Sequence, residues 1–355
     1  MRTRLKDVAK ALNLSISTVN AVLRNRSDIS KATRRRVFDK VKELNYRPNW
    51  VARSLVTQRT QVLGVVVPDL SRSFFTEVIK GIDLVASAIR YHLVLTNTGE
   101  DPRREDDEVA TLISKQVDGL VIASAHDPGD NVVWRNLSKM GVPFVLVDRA
   151  FPNAPFVGVD DERIGFIATT HLVDQGYERI AHLRVPSLST GIGRVRGYLK
   201  ALRQHGIRAR QDYMVDAEFH SEASGYEATK ILLQRSPRPD AIFAASDPIA
   251  IGAMQALLEE GVRIPLDCGL IGVGQVRYGE YLKVPLSTVD QHRVEIGKLA
   301  AKALLDLVSG QKKPAKPILI EPTLIVRASS LRHPRTPRPR GAQENRARAA
   351  IPRNG

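Results

Sequence analysis

Among its 355 residues the chain has a single cysteine, Cys268. An internal disulfide is therefore excluded, and a thiolate-based metal site is disfavoured. No run is long and apolar enough to span a bilayer, and the opening MRTRLKDVAKAL lacks the apolar core of a secretory leader. The expectation is a soluble, cytoplasmic protein with no membrane partner. The marks of catalysis are missing too. There is no GxxxxGK[ST] loop, and GIGRVRG at 191–197 reads GxGxxxG rather than the dinucleotide fingerprint, without sitting tightly behind a strand. His171, His182 and His220 are scattered without ligand spacing, and the first two are expected to be packed or surface residues. The runs Asp106-Asp107-Glu108 and Asp160-Asp161-Glu162 read as helix starts, where carboxylates complement the dipole. No enzyme, cofactor or metal is expected.

What is present is basic charge, unevenly spread. The net charge is +15, of which residues 1–60 hold +11 and residues 332–355 hold +6, leaving 61–331 at −2. A near-neutral body with a basic head is the pattern of a phosphate-binding module joined to a separate domain. The length and the 43% hydrophobic content suit a small domain followed by a larger two-lobed one.

Within the head, Leu5, Val8, Ala9 and Leu12 keep helical spacing and predict a short amphipathic helix. Asn13-Leu14 interrupts it. Ser15 then caps a second helix from Ile16 to about Arg24, with Val19, Val22 and Leu23 inward and Ser17, Thr18, Asn20 and Ala21 outward. Ser30 caps a third, carrying Val37, Val41 and Leu44. The second helix has the length needed to enter a major groove.

LKDVAKALNLSISTVNAVLRN, DISKATRRRVFDKVKELNYRPN and WVARSL, in that order and spacing, resemble the head of the LacI/GalR family of repressors. The likeness runs from Leu5 through Leu55 and on through the body to about Ser329. It implies a helix-turn-helix domain at 1–48 and a hinge helix and linker at 49–60. Leu5, Ser15, Ile16, Ser17, Thr18, Asn20 and Ala21 would then lie at or near base edges and flanking phosphates, while Asn25, Arg34 and Tyr46 position the head on the backbone. Asn49, Ala52, Arg53 and Leu55 would belong to a hinge that orders on DNA, Leu55 wedging into a central minor-groove step. One departure stands out. Where relatives follow the TV of this helix with Ser and a long polar residue, this chain has Asn20-Ala21, and Ala21 offers only a methyl to a thymine.

From Val62 onward, apolar strand-length runs (VLGVVVP, HLVLTN, DGLVIA, PFVLVD, RIAHLR, AIFAAS, GLIGVG) alternate with helical stretches. Such alternation means doubly wound α/β structure with parallel sheets, and there are enough units for two Rossmann-like lobes. The resemblance implies the periplasmic-binding-protein type I architecture over 61–331. Lobe 1 would take about 61–159 and 290–319, lobe 2 about 160–289 and 320–331, with an effector between them at the C-terminal ends of the strands. Residues 332–355 are expected to be a disordered basic tail; without leucine heptads, no C-terminal tetramerisation helix is expected.

The family pattern also supplies the effector candidates. Relatives commonly carry Asn-Pro-Phe-Phe after the first strand, whereas this chain has Arg72-Ser73-Phe74-Phe75, so Phe74 or Phe75 would stack on a ligand. Asp148, Arg149, Ser246 and Asp247 stand at strand ends, and Arg194 with Gly197 matches an effector-gripping RxxG. Sugar-binding relatives have an aspartate pair where this chain has Gly274 and Gln275. Losing that carboxylate while keeping arginines suits a sugar acid or sugar phosphate. The expected function is therefore sequence-specific transcriptional regulation, most simply repression, by a homodimer on pseudo-palindromic operator DNA under allosteric effector control. The rivals are a solute-binding sensor without sequence-specific DNA function and an α/β enzyme with an accessory head.

Overall fold

Ser15 and Ser30 act as the caps their positions predict, each hydroxyl accepting from the backbone three residues on, Thr18 N at 3.0 Å and Thr33 N at 3.2 Å. In the computed structural model, which describes residues 3–23, 28–46, 59–126, 132–186, 189–217, 220–311 and 316–332, the chain divides into two compact units, Met1–Gln61 and Val62–Gly355. The first contains helices α1 (Leu5–Leu12), α2 (Ile16–Leu23) and α3 (Lys31–Glu43). Asn13 takes the left-handed conformation that ends α1 and turns the chain toward α2. Val8, Ala9, Leu12, Val19, Val22, Val37 and Tyr46 close a small core, with Leu5, Leu23, Val41 and Leu44 packed against it.

The second unit holds two six-stranded sheets. The first contains β1 (Val62–Val67), β2 (His92–Asn97), β3 (Gly119–Ile122), β4 (Phe144–Val147), β5 (Phe156–Val159) and β11 (Ile318–Ile320), in the order β11-β5-β4-β3-β1-β2. The second contains β6 (Ile180–Arg184), β7 (Met214–Asp216), β8 (Ala241–Ala244), β9 (Gly269–Val273), β10 (Ser287–Asp290) and β12 (Thr323–Ile325), ordered β12-β10-β9-β8-β6-β7. Every pairing is parallel except β10 with β12, an antiparallel edge that the sequence pattern did not announce. The two sheets share one connectivity, so each reverses its strand order beside its first strand. A ligand crevice forms at such a reversal in doubly wound folds. The chain passes between the sheets after β5, after β10, and between β11 and β12.

The apolar runs are nearly unbroken because both faces of each sheet are covered. Along β1, Leu63, Val65 and Val67 join one core, and Val66 joins the other beside Val109 and Leu112. Those last two residues lie on α5 (Pro102–Ser114); helix α6 (Val132–Lys139) adds Leu137 to the same layer. Asp101 caps α5, so Asp106-Asp107-Glu108 fall in its interior rather than at its start; Asp106 accepts from or is paired with His126 at 3.0 Å.

Three helix pairs meet through glycines. They are α4 (Ser73–Ala88) with α11 (Arg293–Val308), α7 (Asp161–Asp174) with α8 (Ser189–Gln204), and α9 (Glu222–Leu233) with α10 (Asp247–Glu259). A Cβ on Gly81 or Gly297 would lie about 2 Å from the facing backbone, 2.1 Å from Val294 O and 2.0 Å from Val78 O. Gly165 and Gly197 make the same approach across α7 and α8, at 2.1 Å to Arg194 O and 2.0 Å to Glu162 O. Gly225 and Gly252 do so across α9 and α10, at 2.2 and 1.8 Å. The glycine-rich GIGRVRG stretch is therefore helix-packing sequence.

Candidate DNA-reading helix and interlobe cleft

In the first unit, α2 presents a polar face. Ser15 Oγ shares hydrogen bonds with Ser17 Oγ at 2.7 Å and Thr18 Oγ1 at 2.8 Å, leaving a cluster of hydroxyls at the helix start. Ile16 beside them is 52% exposed, an apolar side chain with no core to join. Asn20 and Ala21 are half-buried one turn on. Leu5 packs on the core, and Tyr46 is buried in it, so the Tyr46 ring belongs first to the folding of this unit. Arg34 is half-buried on α3. Asn25, Asn49, Ala52, Arg53 and Leu55 lie outside the described residues.

In the second unit, the strand ends of both sheets converge on a cleft between the lobes, open to solvent at its mouth. Arg72, Ser73 and Phe74 enter from the start of α4 and Asp148 from the end of β4. The opposite wall brings Thr190 and Arg194 on α8, His220 ahead of α9, and Ser246 and Pro248 at α10. Gly274, Gln291 and Arg293 follow β9 and β10. Of the sequence candidates, Phe74, Asp148, Arg194 and Ser246 line this space.

The other four stand behind the lining, and each has a physical reason. Phe75 faces the core with no exposure, because a helical step of one residue turns it away from Phe74; it packs edge-on to Phe74 and lies 5.0 Å beneath the Arg72 guanidinium. Arg149 donates to Ser124 O and to Glu100 Oε1, the same oxygen that Arg72 reaches at 2.8 Å. Asp247 is sealed, accepting from Thr288 Oγ1 at 2.7 Å and Val276 N at 2.8 Å, and burial raises its carboxyl above the usual range. Gln275 takes a left-handed backbone and accepts from Arg293 through its carbonyl at 2.7 Å. Phe75, Arg149, Asp247 and Gln275 thus hold the lining residues rather than forming the surface.

Electrostatics give the cleft its character. Among the described lining residues, Arg72, Arg194 and Arg293 face one carboxylate, Asp148, itself in a left-handed backbone. Arg194 is tied back by Asp161, its Nε donating at 2.9 Å, and also donates to Ala245 O. Burial pushes Asp161 up to about 7 against the pull of that guanidinium. Burial also lowers Arg72 and Arg293 from the ordinary arginine value. His220 is held well below the normal imidazole value, by burial first and then by Arg72, Arg194 and Arg149. Its Nδ1 is shut off from solvent and has no hydrogen-bond partner among the described residues. Arg72, Thr190, His220, Gln291 and Arg293 were not expected from sequence.

Two family models cover this architecture. Residues 4–49 match bacterial regulatory proteins of the lacI family, and residues 60–328 match periplasmic binding proteins and the sugar-binding domain of the LacI family. The chain belongs to the LacI family. This LacI-family chain is 33% identical to the ribose operon repressor of Haemophilus influenzae over 329 residues, covering 92% of the chain and 98% of that repressor. It is 32% identical to the transcriptional repressor PurR of Klebsiella pneumoniae, over 92% and 96% of the two chains. Among solved structures it resembles a lac repressor dimer bound to operator and the anti-inducer ONPF, with TM-score 0.83, 26% identity and coverage of 93% and 100%. It also resembles the regulator CelR in complex with cellobiose, with TM-score 0.69, 28% identity and coverage of 92% and 100%. The LacI-family chain is accordingly a DNA-binding transcription regulator with a two-lobed, parallel-sheet sensor. Among the described residues no helix is long and apolar enough to cross a membrane.

Proposed function

We propose that this chain represses transcription as a homodimer on a pseudo-palindromic operator, and that an anionic small molecule between its lobes sets its affinity for DNA. The observation that carries the effector reading is the cleft's charge, three guanidiniums against one lining carboxylate at the convergence of both sheets' strand ends. Guanidiniums grip carboxylate and phosphate oxygens through paired N–H donors, which a neutral hydroxyl matches less well. Sugar acids and sugar phosphates are the class that fits.

The face of α2 that carries Ile16, Ser17, Thr18, Asn20 and Ala21 is the reading surface, and Leu5, Ser15, Asn25, Arg34 and Tyr46 fix its register. Asn49, Ala52, Arg53 and Leu55 supply the hinge and its wedge. Dimerisation has support in two apolar surfaces. The edge strand β2 turns Val94 and Leu95 outward, with Leu84 exposed on neighbouring α4, and the second lobe exposes Tyr278 and Tyr281. An uncovered apolar sheet edge is a liability that a partner subunit removes.

The decisive test is selection from random duplexes by the purified full-length chain. The expected product is a palindrome with half-site centres about 10 bp apart and a pyrimidine–purine step in the middle. Recovery of no sequence preference would overturn the operator reading. For the effector, calorimetry should detect sugar acids or sugar phosphates, and tight binding of neutral hexoses alone would reject the anionic assignment.

A further inference from the structure

Resting on the reading of the cleft as an anion site, we propose that His220 determines its specificity, joining the guanidiniums around a bound anion and taking up one proton as the anion enters. His220 stands on the second lobe's wall just ahead of α9 and is one of the residues lining the cleft. The charged groups around it come from every neighbouring element. Arg72 precedes α4 and Arg149 follows β4 beside Asp148, both guanidiniums bonded to Glu100 beyond β2; Arg194 lies on α8 with Asp161 behind it; Arg293 opens α11; Asp247 opens α10 behind Ser246. Burial first, and then the guanidiniums of Arg72, Arg194 and Arg149, hold the imidazole neutral.

That neutral ring carries an open cost. A buried nitrogen with no partner forfeits a hydrogen bond that water would otherwise supply, and Nδ1 is such an atom among the described residues. A doubly charged oxyanion between Arg72, Arg194 and Arg293 changes both conditions. It reverses the local potential and offers acceptor oxygens, and an imidazolium then donates from both ring nitrogens. The proton comes from solvent; imidazole becomes imidazolium, and no covalent bond other than that N–H is made. A neutral sugar reverses no potential and draws no proton. His220 therefore separates anions from their neutral counterparts beyond what the arginines do, and links occupancy of the cleft to pH.

The experiment is calorimetric titration of the full chain with sodium sulfate and with sodium D-gluconate between pH 6 and 8, where neither probe changes charge. Buffers of different ionisation enthalpy count the protons. Uptake of about one proton per anion is expected, with Kd rising roughly tenfold per pH unit in the middle of that range. His220→Gln should lose the uptake and the slope while melting as the parent does. Should His220→Gln fail to fold, the 13Cε1 resonance of His220 in the parent reads the same proton, shifting to the imidazolium position only with anion present. Anion binding without proton uptake, or uptake that survives His220→Gln, overturns the proposal and leaves the anion cleft standing. No binding of either probe, with neutral hexoses bound, removes the anion reading and this one with it.

Discussion

Buried ionisable side chains set how single residues respond to pH. His182 is fully enclosed, stacked on Phe243 with ring centroids 4.4 Å apart, and its Nδ1 lies 2.9 Å from Phe243 O. Burial lowers it to about 4. An imidazole that titrates near 4 when folded and near 6.5 when unfolded leaves stability untouched above pH 6.5. As pH falls from 6.5 toward 4 only the unfolded chain gains the proton, so stability drops, by about 3 kcal/mol at the low end. Urea midpoints should record that decline, and His182→Asn, which keeps a donor for the carbonyl, should flatten it. The sequence placed His182 and His171 only as packed or surface residues; both are packed, and His171 bonds Ser330 Oγ at 2.7 Å. It did not distinguish His220, because spacing along a chain says nothing about which loops converge in space. The choice between Phe74 and Phe75 was equally closed to it, since adjacent residues at a helix start differ only in phase.

At the scale of elements, the three helix seams depend on glycine for backbone approach. Gly197→Ala would drive a methyl to within about 2.0 Å of Glu162 O, and Gly81→Ala to within about 2.1 Å of Val294 O. Each should cost on the order of 1–3 kcal/mol or more, read as a lowered melting temperature, because neither neighbour is a flexible side chain. In the first unit, Ser30→Ala removes the bond to Thr33 N and should cost that unit about 1 kcal/mol. Long elements were legible. The helices of the first unit and seven strands stand out by period and by Val, Ile and Leu content. The strands that escaped notice are β5, β7, β10, β11 and β12, of three or four residues each, and FVGV or MVD carries too little pattern to separate it from loop. Because β10 carries so little pattern, Gln291 and Arg293 just beyond it were not picked out from sequence either.

For the whole molecule, the two units should be separable by function. A chain lacking residues 1–58 should lose DNA binding and keep effector binding, measured by gel shift and calorimetry on the same preparation. Arg194→Gln should keep DNA binding while losing the effector's influence on it, a coupling expected at about 1–3 kcal/mol in the parent. The interlaced chain path has a further consequence, which concerns synthesis. The small helical core is complete in sequence by Tyr46, whereas the first sheet waits for β11 at Ile318–Ile320 and for α11 to cover α4. At roughly 5–20 residues per second, the ribosome needs on the order of 15–55 s to traverse that interval. Within it, a nascent chain carries a finished helical head together with an α4 face that stays bare until α11 at Arg293–Val308 is made and a β5 edge that stays bare until β11. Newly made chains can thus hold a folded DNA-binding head before their sensor is complete, and their exposed edges make this stretch of translation the period of greatest exposure to aggregation.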